Sequence, residues 1–260
     1  MTILLDVQGL TLHAGSRRLI DNLSFTVEAG QRWGILGRNG AGKTTLLHTL
    51  AGLREADQGA IKVADKPLAQ WGMGELACLI GLLQQDHQDA LPATVMETAL
   101  LGRHPHAQGR FFDSGEDRKL AEQALATLGI LNLADRQLVS LSGGERQRLA
   151  LAMLLAQQPT LLLLDEPSNH LDLGFHSRLV ELLRTETAFD GAGRPRSALL
   201  ATHDINLAAR LCDHFVLMLS DGETLAGPAK TVLTAEYLSQ AYDCEIAQAQ
   251  AQTGPLFYAV

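Results

Sequence analysis

Apolar and polar residues alternate through Leu23, Phe25 and Val27, and the pattern breaks at Ala29-Gly30, which is the period of strands with one buried face. Residues 1 to about 35 therefore predict an antiparallel β layer. Trp33-Gly34-Ile35-Leu36 reads as a short apolar strand. A Gly-rich loop follows, and Thr45 to Gly52 carries a helical apolar pattern closed by a glycine. The runs Leu79–Leu83 and Thr160–Leu164 are too short to span a membrane and suit strands buried on both faces. A further strand is expected at Ala198–Leu200. Between these strands the period turns helical at Val95–Leu101, at Asp117–Leu128, and from Gly143 through Leu149, Met153 and Ala156. Residues 188–197, rich in Gly, Pro and Arg, predict an exposed loop. The stretch after Asp221-Gly222 predicts a few turns and a helix at Thr234–Tyr242, and the last ten residues carry no signal.

Chemistry-bearing residues fall at the ends of these elements. Gly37-Arg38-Asn39-Gly40-Ala41-Gly42-Lys43-Thr44 lies between an apolar strand and a helix, the context that a phosphate-binding loop requires. Gly37, Gly40 and Gly42 let the backbone curl, so that N–H groups along Asn39, Ala41 and Thr45 turn inward to phosphate oxygens, and the helix N-terminus favours the anion. Lys43 is expected to reach the β- and γ-phosphates, and the Thr44 hydroxyl to ligate Mg²⁺. Asp165-Glu166 closes the leucine-rich strand, where ligands bind in parallel sheets. Asp165 is expected to hold Mg²⁺ directly or through water, and Glu166 to orient and deprotonate an attacking water. A phosphate loop by itself leaves kinases, GTPases and motor ATPases open.

Leu141-Ser142-Gly143-Gly144-Glu145 narrows that choice. Ser142 is a good N-cap, and Glu145 three residues on completes a capping box. A capping box alone is structural. Gly143 and Gly144, however, leave the first turn bare enough for a phosphate to approach. A nucleotide already held by one helix end cannot easily serve a second, so the phosphate loop of another subunit is the natural client.

In this order the motifs resemble the ATP-binding cassette (ABC) ATPases over nearly the whole chain. The resemblance implies an α/β fold: a P-loop NTPase (RecA-like) core with an N-terminal antiparallel β layer and an inserted helical subdomain. It implies one domain over 1–260, with 1–86 and 159–260 as core and 87–158 as the helical insert bearing the signature. Gln85, with Gln84 as fallback, is similar to the glutamine that touches Mg²⁺ or the attacking water. Ser168-Asn169-His170-Leu171-Asp172 is similar to the segment whose aspartate, here Asp172, crosses the dimer interface. His203, in Ala201-Thr202-His203-Asp204, is similar to the histidine that contacts the γ-phosphate. The resemblance implies ATP and Mg²⁺ as ligands and a second copy of the chain as partner. One family feature is missing, since Leu10 to Arg18 holds no aromatic to stack on adenine. His13 stacking on the base, Arg17 covering it by a cation–π contact, and a merely solvated hairpin all remain open.

Composition limits the rest. With 260 residues and 46% hydrophobic positions the chain can bury a full core. Cys78, Cys212 and Cys244 form no close pair, which argues against a disulfide framework and for a reducing compartment. The start, Met1 to Asp6, predicts no leader, no apolar run reaches about 20 residues, and the net charge of −8 gives no footprint for nucleic acid. Transport would then need a separate membrane permease and, indirectly, an external substrate-binding protein, with this chain peripheral on the cytoplasmic face of the membrane. Two strings lean that way. Leu101-Gly102-Arg103-His104-Pro105-His106 and the ending Leu238 to Ile246 are similar to those of ATPases that energise uptake of siderophore-bound iron, haem and cobalamin. Two nearby imidazoles, His104 and His106, also permit a metal site, but no acidic or thiol partner stands near them. The alternative is a soluble clamp acting on a cytosolic protein or nucleic-acid complex.

Overall fold

A computed structural model describes residues 2–84, 92–107, 115–169, 171, 173–187, 193, 195–252 and 254–260. The alternating N-terminal segment forms strands β1 (Ile3–Ala14) and β2 (Arg17–Glu28), paired antiparallel across a hairpin tip at Gly15-Ser16. The next strand, β3 (Arg32–Leu36), leaves for a second sheet. On its other edge β1 pairs antiparallel with β4 (Gln58–Val63), which carries the short β5 (Lys66–Pro67).

The second sheet adds β6 (Ile80–Leu83), β7 (Leu161–Asp165), β8 (Ser197–Ala201), β9 (His214–Met218) and β10 (Thr224–Pro228) to β3. Its order is β10-β9-β3-β8-β7-β6, parallel throughout except where β10 meets β9. Because side chains alternate along a strand, each buried strand feeds two cores. Leu161 and Leu163, Leu199 and Ala201, and Val216 and Met218 face the core shared with the β layer and helix α1 (Lys43–Leu50). Leu162 and Leu164, Ala198 and Leu200, and Phe215 and Leu217 face the helical side. All twelve are at most 2% exposed. At roughly 1.5–3 kcal/mol per buried leucine, β7 alone clamps both layers to one sheet.

Helix α2 (Met73–Leu79) joins the β-layer core through Leu76, and the helical side is built from α3 (Val95–Leu101), α4 (Gly115–Thr127), α5 (Gly143–Gln157), α6 (Leu173–Glu186), α7 (Ile205–Leu211), α8 (Ala229–Val232) and α9 (Ala235–Tyr242). The Gly102 to His106 string is a joint between these helices. A Cβ on Gly102 would stand 2.2 Å from the Met153 carbonyl oxygen, so the backbone of α5 passes where only glycine leaves room. Arg103, 8% exposed, donates from Nε to Asp117 at 2.8 Å and from Nη1 to the Ala156 carbonyl at 2.7 Å. The His106 ring lies 2.8 Å from the Gln157 carbonyl. Among the described residues no group of three or more His, Cys, Asp or Glu is placed to hold a metal ion.

Two expectations need correction. The far end of the supposed exposed loop is buried: Arg196 is 3% exposed and donates to the Glu186 carbonyl at 3.3 Å, while Ser197 opens β8. Residues 188–192 and Arg194 lie outside the described residues. The C-terminal stretch holds more than turns and one helix. After β10 and α9 it ends in an antiparallel hairpin of β11 (Ile246–Ala251) and β12 (Gly254–Ala259). Asn206 of α7 locks that hairpin, giving and taking hydrogen bonds with the Phe257 backbone at 2.9 and 2.8 Å. Among the described residues no helix is long and apolar enough to cross a membrane.

Candidate functional site

Strand register brings three chain segments to one edge. Ile35 pairs with Ala201, and Ala201 pairs with Asp165, so the loop after β3, the Asp165-Glu166 step and Thr202-His203 emerge side by side. This is the carboxyl edge of the parallel strands, where open α/β sheets bind ligands.

The loop after β3 curls as the glycines predict. Gly40 has φ +77°, and Gly42, the N-cap of α1, has φ +110°. A Cβ on Gly42 would also stand 3.0 Å from the Leu19 Cβ, so no larger residue fits there without displacing β2. Ala41 N–H donates to the Arg38 carbonyl at 3.1 Å, and Leu46 N–H to the Gly42 carbonyl at 2.8 Å. Lys43 is 7% exposed, and its ammonium donates to the carbonyls of Gly37 at 2.8 Å and Arg38 at 3.3 Å. Burial lowers its pKa, against the pull of Glu166 and Asp165. Burial likewise raises that of Asp165, with Glu166 adding to the rise and the Thr44 hydroxyl, His48 and Lys43 opposing it. Lys43 and the carboxylates attract one another, yet desolvation outweighs the attraction for both Lys43 and Asp165.

Glu166 is 6% exposed and has φ +47°, a left-handed backbone that costs a non-glycine residue roughly 1–3 kcal/mol and is met most often at functional sites. Its Oε2 accepts from the Thr202 hydroxyl at 3.1 Å and lies 2.9 Å from His203 Nδ1. Thr202 was not singled out from sequence. Its position just before His203, at the end of an apolar strand, was the available signal.

These residues wall a cleft of about 500 Å³. Asn39, Gly40, Gly42, Lys43, Thr44 and Thr45 of the loop line it together with Asp165, Glu166, Asn169 and His203, and the hairpin adds buried Leu19 and exposed Ala14 and Arg17. His13 does not line it. Its backbone N–H donates to Asp57 at 2.7 Å, and its ring faces the same carboxylate at 3.5 Å. Gly37 and Ala41 belong to the loop without lining the cleft. Ser142, Gly143 and Gly144 lie apart from it, at the start of α5. There Ser142 N–H donates to Glu145 at 2.7 Å and the Ser142 hydroxyl accepts from Glu145 N–H at 3.3 Å. A link does run from α5 to the cleft, since Gln147 Nε2 donates to the Pro167 carbonyl at 3.1 Å, one residue beyond Glu166. Gln85 and Asp172 lie outside the described residues.

The donor set suits a divalent cation. Asp165 Oδ2 is buried with no hydrogen-bond partner, and the Thr44 hydroxyl stands beside the same carboxylate. Two carboxylates facing a triphosphate would repel it, and a divalent cation between them removes that conflict.

Comparisons with known proteins identify the family. The model of the ABC transporter family matches residues 20–169. The ABC transporter ATP-binding protein YvrA of Bacillus subtilis is 38% identical over 95% of this chain, which spans only 55% of that protein. The hemin import ATP-binding protein HmuV of Escherichia coli O157:H7 is 37% identical over 94% of this chain and 93% of its own length. A solved structure described as a metal-chelate type ABC transporter in an inward-facing conformation superposes with a TM-score of 0.83 at 27% identity, covering 99% of this chain and 97% of that one. The chain belongs to the ABC transporter family and has the fold of its ATPases.

Proposed function

We propose that this chain is the ATP-hydrolysing subunit of an importer for a metal chelate, with siderophore-bound iron, haem and cobalamin as the cargo class. The observation that carries this reading is the meeting of Lys43, Asp165, Glu166 and His203 in one cleft over a glycine-curled loop. Lys43 holds the β- and γ-phosphates. Mg²⁺, held by Thr44 and Asp165 with Gln85, would supply charge neutralisation when bound. Glu166, fixed by Thr202 and His203, takes the proton of the attacking water, and His203 keeps Nε2 for the γ-phosphate. Two copies place each nucleotide between the loop of one and Ser142-Gly143-Gly144 of the other, with Asp172 crossing between them. Residues 87–158 act as the helical subdomain against a core of 1–86 and 159–260.

Closure then works on a permease. A groove of about 420 Å³ runs between the end of β6 and helices α3 and α5, lined by Leu82, Gln84, Leu101 and Met153. Leu101 is 46% exposed there. Gln84 lines this groove, and residues 85–91, to which we assign the permease contact, follow it in sequence and lie outside the described residues. The hemin-import relative and the metal-chelate neighbour support the cargo class, and an external binding protein would deliver the chelate. The chain would sit on the cytoplasmic face of the membrane, with no nucleic acid involved.

The test is a mild-detergent capture of the tagged chain from its native membranes, followed by mass spectrometry. A polytopic membrane protein at about one-to-one is the expected result. Recovery only with cytosolic partners would overturn the importer reading in favour of a soluble clamp and leave the ATPase chemistry standing.

A further inference from the structure

We infer that Arg17 covers the nucleobase of the bound ATP and sets a low selectivity for the base. The inference rests on the proposed ATP site. No Phe, Tyr or Trp is among the residues lining the nucleotide cleft. His13 is turned to Asp57. Arg17 lines this cleft and also the neighbouring polar one of about 590 Å³ bounded by Arg18, Arg38 and Asp221, so its side chain forms the ridge between the two. Its Nη1 lies 3.9 Å from where a Cβ on Gly40 would be, which hangs the guanidinium beside the phosphate loop.

Partner choice separates Arg17 from the arginines around it. Arg18 is paired with Asp21, and Arg38 with Asp243 at 3.1 Å. Among the described residues the Arg17 guanidinium has no carboxylate or hydrogen-bond partner, and it opens β2 next to the exposed hairpin tip. A planar, weakly hydrated cation left free at the mouth of a nucleotide cleft is suited to stacking on a purine face. With phosphates on Gly40 to Thr45, the base falls against the hairpin at Ala14 and Arg17. A guanidinium plane reads a π face and not base edges, so adenine and guanine are held nearly alike.

The experiment compares binding of ATP, GTP and inorganic tripolyphosphate to the full-length chain and to Arg17→Ala, Arg17→Lys and Arg17→Tyr. Arg17 is exposed on a hairpin, so all three variants are expected to fold. Arg17→Ala should weaken ATP and GTP by about threefold to tenfold and leave tripolyphosphate unchanged. Arg17→Lys, which keeps charge and loses the plane, should follow Arg17→Ala, and Arg17→Tyr should recover ATP affinity. Equal loss of ATP and tripolyphosphate, rescued by Lys, would assign Arg17 to the phosphates and overturn the inference. Unchanged ATP affinity in Arg17→Ala would overturn it as well. Failure of the wild-type chain to bind ATP or tripolyphosphate would instead refute the underlying site.

Discussion

Glu166 carries three constraints at once: a left-handed backbone, near-complete burial and a carboxylate shared by Thr202 and His203. Such an arrangement fixes one oxygen and leaves the other to meet a water. Glu166→Gln keeps the size and the hydrogen-bonding oxygen and removes the proposed base. ATP should still bind with wild-type affinity while hydrolysis falls by about two to four orders of magnitude. Steady-state ATPase assays beside equilibrium binding would show it, and near-normal turnover would remove Glu166 from the role of base. Much of this site is legible in sequence because loop and strand-end residues are contiguous there. Lys43 and Thr44 follow the glycines, and Asp165-Glu166 follows four leucines. What sequence does not show is which hairpin side chain turns to the cleft. His13 and Arg17 look equivalent until Asp57, forty-four residues away, is brought beside His13.

At the scale of elements, the helices explain features that look functional in sequence. Gly102 belongs to a string that resembles importer ATPases, but its local role is to let α3 and α5 touch at the Met153 carbonyl. Gly102→Ala should therefore destabilise the fold by about 1–3 kcal/mol, which lowers Tm by roughly 2–4 °C per kcal/mol in a chain of this size. ATPase activity per folded molecule should stay near wild type, and calorimetry with active-site titration would check both. The capping boxes of α3 and α5 make a pH-dependent contribution. The backbone N–H and the side chain of Thr94 hold the Glu97 carboxyl below the usual range, and those of Ser142 do the same for Glu145. A folded-state pKa that is depressed gives stability above the unfolded value, about 4.3 for Glu, and loses it as pH falls through the lower folded value. A Glu97→Gln, Glu145→Gln double variant should be less stable than wild type at neutral pH, and the gap should close in acid, as denaturant titrations across pH would reveal.

Elements were legible in proportion to the core they feed. β7, α3 and α5 announce themselves because their apolar period is dense. The β11–β12 hairpin does not, since Ala-Gln alternation leaves Ile246 and Phe257 as its buried anchors. Arg196 misleads for the opposite reason: a charged residue after Gly and Pro reads as solvent-facing, yet it is buried against the end of α6.

For the whole molecule, the separation of the two anion-ready helix ends is what favours the proposed head-to-tail pair. α1 opens onto the nucleotide cleft, while α5 opens elsewhere, with Ser142 and Gly143 exposed and the preceding Val139 72% exposed. One chain cannot close both ends on one nucleotide. Two copies related by a two-fold axis can, each lending its α5 N-terminus to the cleft of the other. Gly144 offers a clean test because the needs of fold and assembly oppose each other there. An aspartate at the second residue of a helix favours the helix dipole, so Gly144→Asp should preserve the monomer. The same carboxylate would face the partner's triphosphate and repel it. In a Glu166→Gln background, ATP should drive the chain to a dimer by light scattering, and adding Gly144→Asp should raise the concentration needed at least tenfold while single-chain ATP affinity stays unchanged. Dimerisation indifferent to Gly144→Asp would mean that copies meet through another face, and the signature would then be a helix cap and nothing more.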